Sequence, residues 1–180
     1  MSLKVKEWLL ACLFAVLTIV GAFIRIPLPV VPMTLQVLIV LLSGFVLGAR
    51  YGMLSQVIYL LLGLSGLPVF SGGGGIGYIM SPTFGYLLSY PVAAYVVGVV
   101  NRKEVVTVLW YSVASFAGLT VIYTIGASAL YFNLRFLTNN SIDCYQVLKL
   151  GVFPFVAIDA LKALGAALLA KKLLPLLGRG

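Results

Sequence analysis

The sequence has no histidine, only two cysteines and only four acidic residues in 180 positions. Without imidazole there is no histidine-dependent triad, no histidine-ligated metal and no histidine acid–base step. Cys12 and Cys144 are too few for a disulfide framework or for a zinc site, which takes about four ligands. Charged residues make up 9% of the chain, where a soluble domain carries about 25%. That shortfall excludes an ordinary water-soluble globule and a disordered chain alike. What is present is apolar: 62% of residues are hydrophobic and the mean hydropathy is +1.15. The composition predicts a small integral membrane protein with a single domain over residues 1–180.

The few charges divide the chain. Uncharged runs cover 26–49, 51–101 and 105–134, and a membrane-crossing helix needs roughly 20 mostly apolar residues. The 51-residue run has room for two helices, with Pro68, the glycines Gly72–Gly75 and Pro82 breaking it in the middle. The reading is all-α, with six transmembrane helices near 8–24, 34–49, 51–66, 83–100, 106–132 and 149–173. The period-two alternation of a lipid-facing barrel is missing. With a cytoplasmic N-terminus, eight basic residues (Lys4, Lys6, Arg50, Arg102, Lys103, Lys171, Lys172 and Arg179) fall inside. Three (Arg25, Arg135 and Lys149) fall outside. The asymmetry predicts both termini cytoplasmic and explains the +8 net charge with no nucleic-acid partner. The apolar stretch 8–24 exceeds the roughly 7–15 residues of a signal-peptide core, so it is read as a retained helix.

Two outward connections have unusual composition. The first, 25–33, carries Pro27, Pro29 and Pro32, which remove donors and force an extended path. The second, 67–82, carries Gly72, Gly73, Gly74 and Gly75 between aromatic residues. Both fit either plain helix connectors tucked onto the bundle or lids over an outward cavity, since irregular backbone at the membrane is tolerated where it lines a cavity. Gly72, Gly74 and Gly77 match the spacing of a dinucleotide loop, but no strand precedes them and no acidic residue follows at the required distance. No lysine follows either, so the chain is not expected to hydrolyse ATP by itself.

Asp159 and Lys162 stand inside the last span, three residues apart and so on one helical face. Insertion scales assign about 2.5–3.5 kcal/mol to one such residue at a helix centre, which makes an intramembrane pair a candidate ligand site. A purely structural pair is the alternative. Asp accepts N–H donors and Lys attracts a carboxylate; the sequence does not divide these roles. Gln36, Thr83 and Tyr86 border the suspected lids, and Tyr78 and Tyr86 are candidates for the pocket wall. In the first helix, Ala11 and Ala15 are four apart, a spacing that suits either a partner helix or one of the chain's own.

Several segments form a specific set: Ile26-Pro-Leu-Pro with Val31-Pro-Met-Thr-Leu-Gln36, Leu47-Gly-Ala-Arg-Tyr-Gly52, Gly66-Leu-Pro-Val-Phe70, Ser81-Pro-Thr-Phe-Gly-Tyr86, and Gly151-Val-Phe-Pro-Phe with Asp159-x-x-Lys162. In them the chain resembles the BioY family, the biotin-capture S components of energy-coupling factor (ECF) transporters. One departure is Phe84, where family members usually carry glycine. The resemblance implies a multi-pass protein of the prokaryotic plasma membrane that takes biotin from outside, with the first connection as a gate. It implies Asp159 and Lys162 at the biotin site and Ala11 and Ala15 at a transmembrane coupling subunit (T component), with two ATPase subunits completing the transporter. No enzyme activity, catalytic residue, cofactor or metal is expected. The alternatives are a self-sufficient secondary transporter or carrier of a small anionic solute, for which inverted repeats are not evident, and an intramembrane enzyme, for which acids are too few.

Overall fold

A computed structural model describes residues 3–101, 107–137 and 142–177. Arg102, Lys103 and Arg179, which the charge asymmetry counts, lie outside the described residues. The chain runs through α1 (Leu3–Phe23), β1 (Arg25–Ile26), β2 (Met33–Thr34), α2 (Gln36–Leu64), a 3₁₀ turn (Ile76–Met80), α3 (Phe84–Val100), α4 (Val108–Phe132), α5 (Cys144–Gly151) and α6 (Phe153–Leu176). Helices α1, α2, α4 and α6 are long and apolar enough to cross a membrane by length and composition, and α3 is a shorter apolar helix.

Helix α2 is two antiparallel legs. At Gly48 the backbone takes φ 74°, ψ 179°, a region that only glycine occupies freely, and the chain reverses. Gln36 Nε2 then donates to the Tyr59 hydroxyl at 2.8 Å. In an unbroken helix those residues, 23 apart, would be separated by about 34 Å. The break expected at Arg50 therefore falls two residues earlier, at the residue whose backbone permits it.

Helix α1 packs on α2 through a stripe of Ala11, Phe14, Ala15, Thr18 and Ala22, all buried, while Leu9, Leu13, Val16 and Val20 on the other side are exposed. Ala11 and Phe14 cluster with Val46 and Leu47. Ala11 and Ala15, expected at a coupling subunit, are at 0% and 1% exposure here and face the chain's own α2. Their small side chains let two of the chain's own helices approach closely.

The last expected helix, 149–173, is also revised. A separate α5 is started by an N-terminal capping box between Asp143 and Gln146, and the helical path breaks at Val152 (φ −126°, ψ −61°) before α6 starts. Pro154 sits in the first turn of α6, where its missing N–H does no harm but where no helix can run in unbroken from the preceding turn. Gly151 lies against Tyr86, whose hydroxyl donates to the Gly151 carbonyl at 2.7 Å; a Cβ at 151 would collide with that hydroxyl.

The proline-rich connection is an extended strap. Arg25 pairs with Thr34 and Ile26 with Met33, and Leu35 N–H donates to the Gly21 and Ile24 carbonyls. The glycine-rich connection folds onto the end of α2. Phe70 is buried between the rings of Tyr59 and Tyr78, at 5.4 and 4.8 Å, and Gly75 N–H donates to the Gly63 carbonyl at 2.7 Å.

Candidate functional site

Asp159 lies in the second turn of α6 and is 4% exposed. Its Oδ1 accepts from Lys162 Nζ at 2.7 Å. Its Oδ2 accepts from the Tyr123 hydroxyl of α4 at 2.9 Å. Lys162 Nζ also donates to the Thr34 carbonyl of β2 at 2.6 Å. One ion pair thereby fastens α6 to α4 and to the strap. The polar chain continues through Thr34 Oγ1, which donates to Gln36 Oε1 at 3.1 Å, and on to Tyr59. Breaking a buried pair by removing one partner costs about 3–5 kcal/mol, whereas replacing both partners with packed apolar groups is often neutral. Holding the strap shut is therefore a poor reason on its own to keep two charges here.

Beside Asp159 is a cavity of about 40 Å³. Asp159, Tyr86, Tyr90 and Tyr123 supply its polar wall, Phe155 and Ile122 part of its apolar wall, and Val31 to Thr34 of the strap its cover. Carboxylate and phenol groups set among apolar side chains make a site suited to a largely apolar ligand with a few N–H or O–H donors. Among the described residues, no group of three or more Cys, Asp or Glu side chains comes together to hold a metal ion.

The candidate residues separate clearly. Asp159 and Tyr86 line this cavity. Lys162 lines a neighbouring one of about 230 Å³ on the other side of Met33 and Thr34. Gln36, Tyr78 and Thr83 border neither. Gln36 is fully buried between Thr34 and Tyr59, and the Tyr78 and Thr83 hydroxyls bond each other at 3.0 Å. Of the strap prolines, Pro32 borders the small cavity, and Pro27 and Pro29 are exposed. Gly72, Gly73, Gly74 and Gly75 border neither of these two cavities, and Phe70 N–H donates to the Gly73 carbonyl at 2.8 Å. Tyr123 was not expected. Its signal was a phenol inside an apolar span, since a buried tyrosine hydroxyl needs a partner.

The family model that matches this chain is described as "BioY family" and covers residues 1–179. The chain belongs to the BioY family. Among curated BioY relatives, "Probable biotin transporter BioY" of Lysinibacillus sphaericus is 44% identical over 89% of this chain and 83% of its own length. "Biotin transporter BioY" of Thermotoga maritima is 40% identical over 93% of this chain and 95% of its own. The crystal structure of an "S-component for biotin from an ECF-type ABC transporter" superposes with a TM-score of 0.82 at 24% identity, covering 96% of this chain and 94% of that one. At that identity the superposition speaks to the fold. BioY membership and several membrane-length apolar helices make this an all-α, multi-pass membrane protein.

Proposed function

We propose that the chain captures biotin from the outer side of a prokaryotic plasma membrane, as the substrate-binding subunit of an ECF transporter completed by a transmembrane coupling subunit and two ATPase subunits. The observation that carries this reading is the buried Asp159–Lys162 pair, tied to Tyr123 and to the strap at the wall of a cavity. Biotin offers ureido N–H donors, an apolar fused ring and a carboxylate, which suits a carboxylate, aromatic walls and a cation. The names of the relatives agree with it. Six crossings with both termini cytoplasmic follow if α1, the two legs of α2, α3, α4 and α6 each traverse the bilayer, and the basic residues of the sequence favour that orientation.

A cavity of about 40 Å³ holds a few water-sized groups, not a fused bicycle. Binding therefore requires the strap to lift, and the Lys162–Thr34 bond is the latch it must release and remake. Calorimetric titration of biotin into the purified chain in detergent tests capture: saturable one-to-one binding is expected, and no heat at micromolar protein would reject it. Uptake of labelled biotin into vesicles with and without the coupling and ATPase subunits tests the assembly. ATP-dependent accumulation is expected only with the partners, and equal uptake by the chain alone would favour unaided transport.

A further inference from the structure

The hollow beside Lys162 differs from the one beside Asp159 in size and in charge. It has about 230 Å³ against about 40 Å³, and Met33 and Thr34 of β2 form a wall of both. Ile24, Ile26 and Ile158 make it apolar, and the charged residues lining it are Arg25 and Lys162, both cationic. The strap brings these two to one station: Arg25 pairs with Thr34 across the β1–β2 ladder, and Lys162 holds the Thr34 carbonyl at 2.6 Å. An ammonium has three N–H donors. Lys162 gives one to Asp159 and one to Thr34, which leaves one for a guest. The Arg25 guanidinium presents a planar fork that matches a carboxylate in two bonds.

We propose that the ligand is read in two halves, with Asp159 and Tyr123 taking the ring donors where the lifted strap enlarges the small cavity and Arg25 with Lys162 taking the tail carboxylate in the larger one. Arg25 is then the residue that makes a free carboxylate a requirement. The inference rests on the biotin reading above and divides the roles of Asp159 and Lys162. Apolar walls of isoleucine suit the methylenes that join ring to carboxylate, and β2 crosses between the two ends of the ligand.

The test is calorimetry with biotin and with its methyl ester, which keeps the ring and chain but loses the charge, on the wild-type chain, Arg25→Gln and Arg25→Lys. The wild type is expected to bind biotin at least about tenfold more tightly than the ester, the scale of one hydrogen bond between charged groups. Arg25→Gln should lose about tenfold for biotin and little for the ester, shrinking the preference to about threefold or less, and Arg25→Lys should keep most of it. An unchanged preference in Arg25→Gln, or equal binding of the two ligands by the wild type, overturns the assignment while leaving biotin capture standing. Loss of both ligands in both variants overturns it too, because Arg25 would then be holding the strap rather than the tail. A wild-type chain that binds neither ligand rejects the biotin reading itself, and this inference with it.

Discussion

Thr18, Ser43, Ser55 and Gln56 form one buried polar cluster in this bundle, and Asp159, Lys162, Tyr123 and Thr34 form another. In the first, Gln56 Nε2 reaches Ser55 at 3.0 Å and Ser43 and Thr18 at 3.3 Å each. Each hydroxyl also donates to a carbonyl of its own helix, at Phe14, Val40 and Gly52. The cluster is neutral, internally satisfied and borders neither cavity described above. The second cluster is charged, joins three elements, opens on both cavities and keeps an ammonium donor in reserve. Burial of polar atoms alone therefore marks helix packing. A binding site is marked by charge next to open volume, because there a ligand can supply the partners the protein withholds.

The sharpest way to separate the clusters is to unbalance the charged one. Lys162→Met leaves the Asp159 carboxylate buried without its cation and should lower unfolding stability by about 3 kcal/mol, read by thermal denaturation in detergent. The double variant Asp159→Asn with Lys162→Met should return to within about 1 kcal/mol of the wild type. Asp159→Asn alone should weaken biotin binding at least about tenfold, on the order of 1.4 kcal/mol; unchanged affinity in calorimetry would remove Asp159 from the site. Tyr123→Phe deletes one donor to the carboxylate and should weaken binding roughly fivefold, about 1 kcal/mol. An effect on stability with none on affinity would make Tyr123 a packing residue. Gln56→Leu should cost under about 1 kcal/mol of stability, as interhelical bonds between neutral groups do, and leave biotin affinity within about twofold. A tenfold loss of affinity there would erase the distinction between the two clusters.

Much of the fold was legible because charges are so sparse. Arg50 announced a turn between two apolar legs, and the corner lies two residues earlier, at Gly48. The break at Val152 was hidden because apolar residues continue through it, although Pro154 carried the warning. Asp159 and Lys162 were legible through their spacing on one helical face. Tyr123 was not, since it is one of 10 tyrosines and only the packing of α4 on α6 brings it to the carboxylate. The bond from Lys162 to Thr34 joins residues 128 apart in sequence, a separation that no local pattern reports. Ala11 and Ala15 show the opposite limit: their spacing declares a close helix contact, but only the fold says that α2 makes it.

The most direct test of the central claim is the thermal shift that saturating biotin gives the wild-type chain and the Asp159→Asn, Lys162→Met double variant. A ligand at about 100 times its dissociation constant adds about 2.7 kcal/mol to the folded state, so the wild type should melt clearly higher with biotin. The double variant should melt at nearly the wild-type temperature without biotin and gain nothing from it. An equal shift in both proteins would contradict the account, because the buried charges would then be dispensable to the ligand they are held to receive.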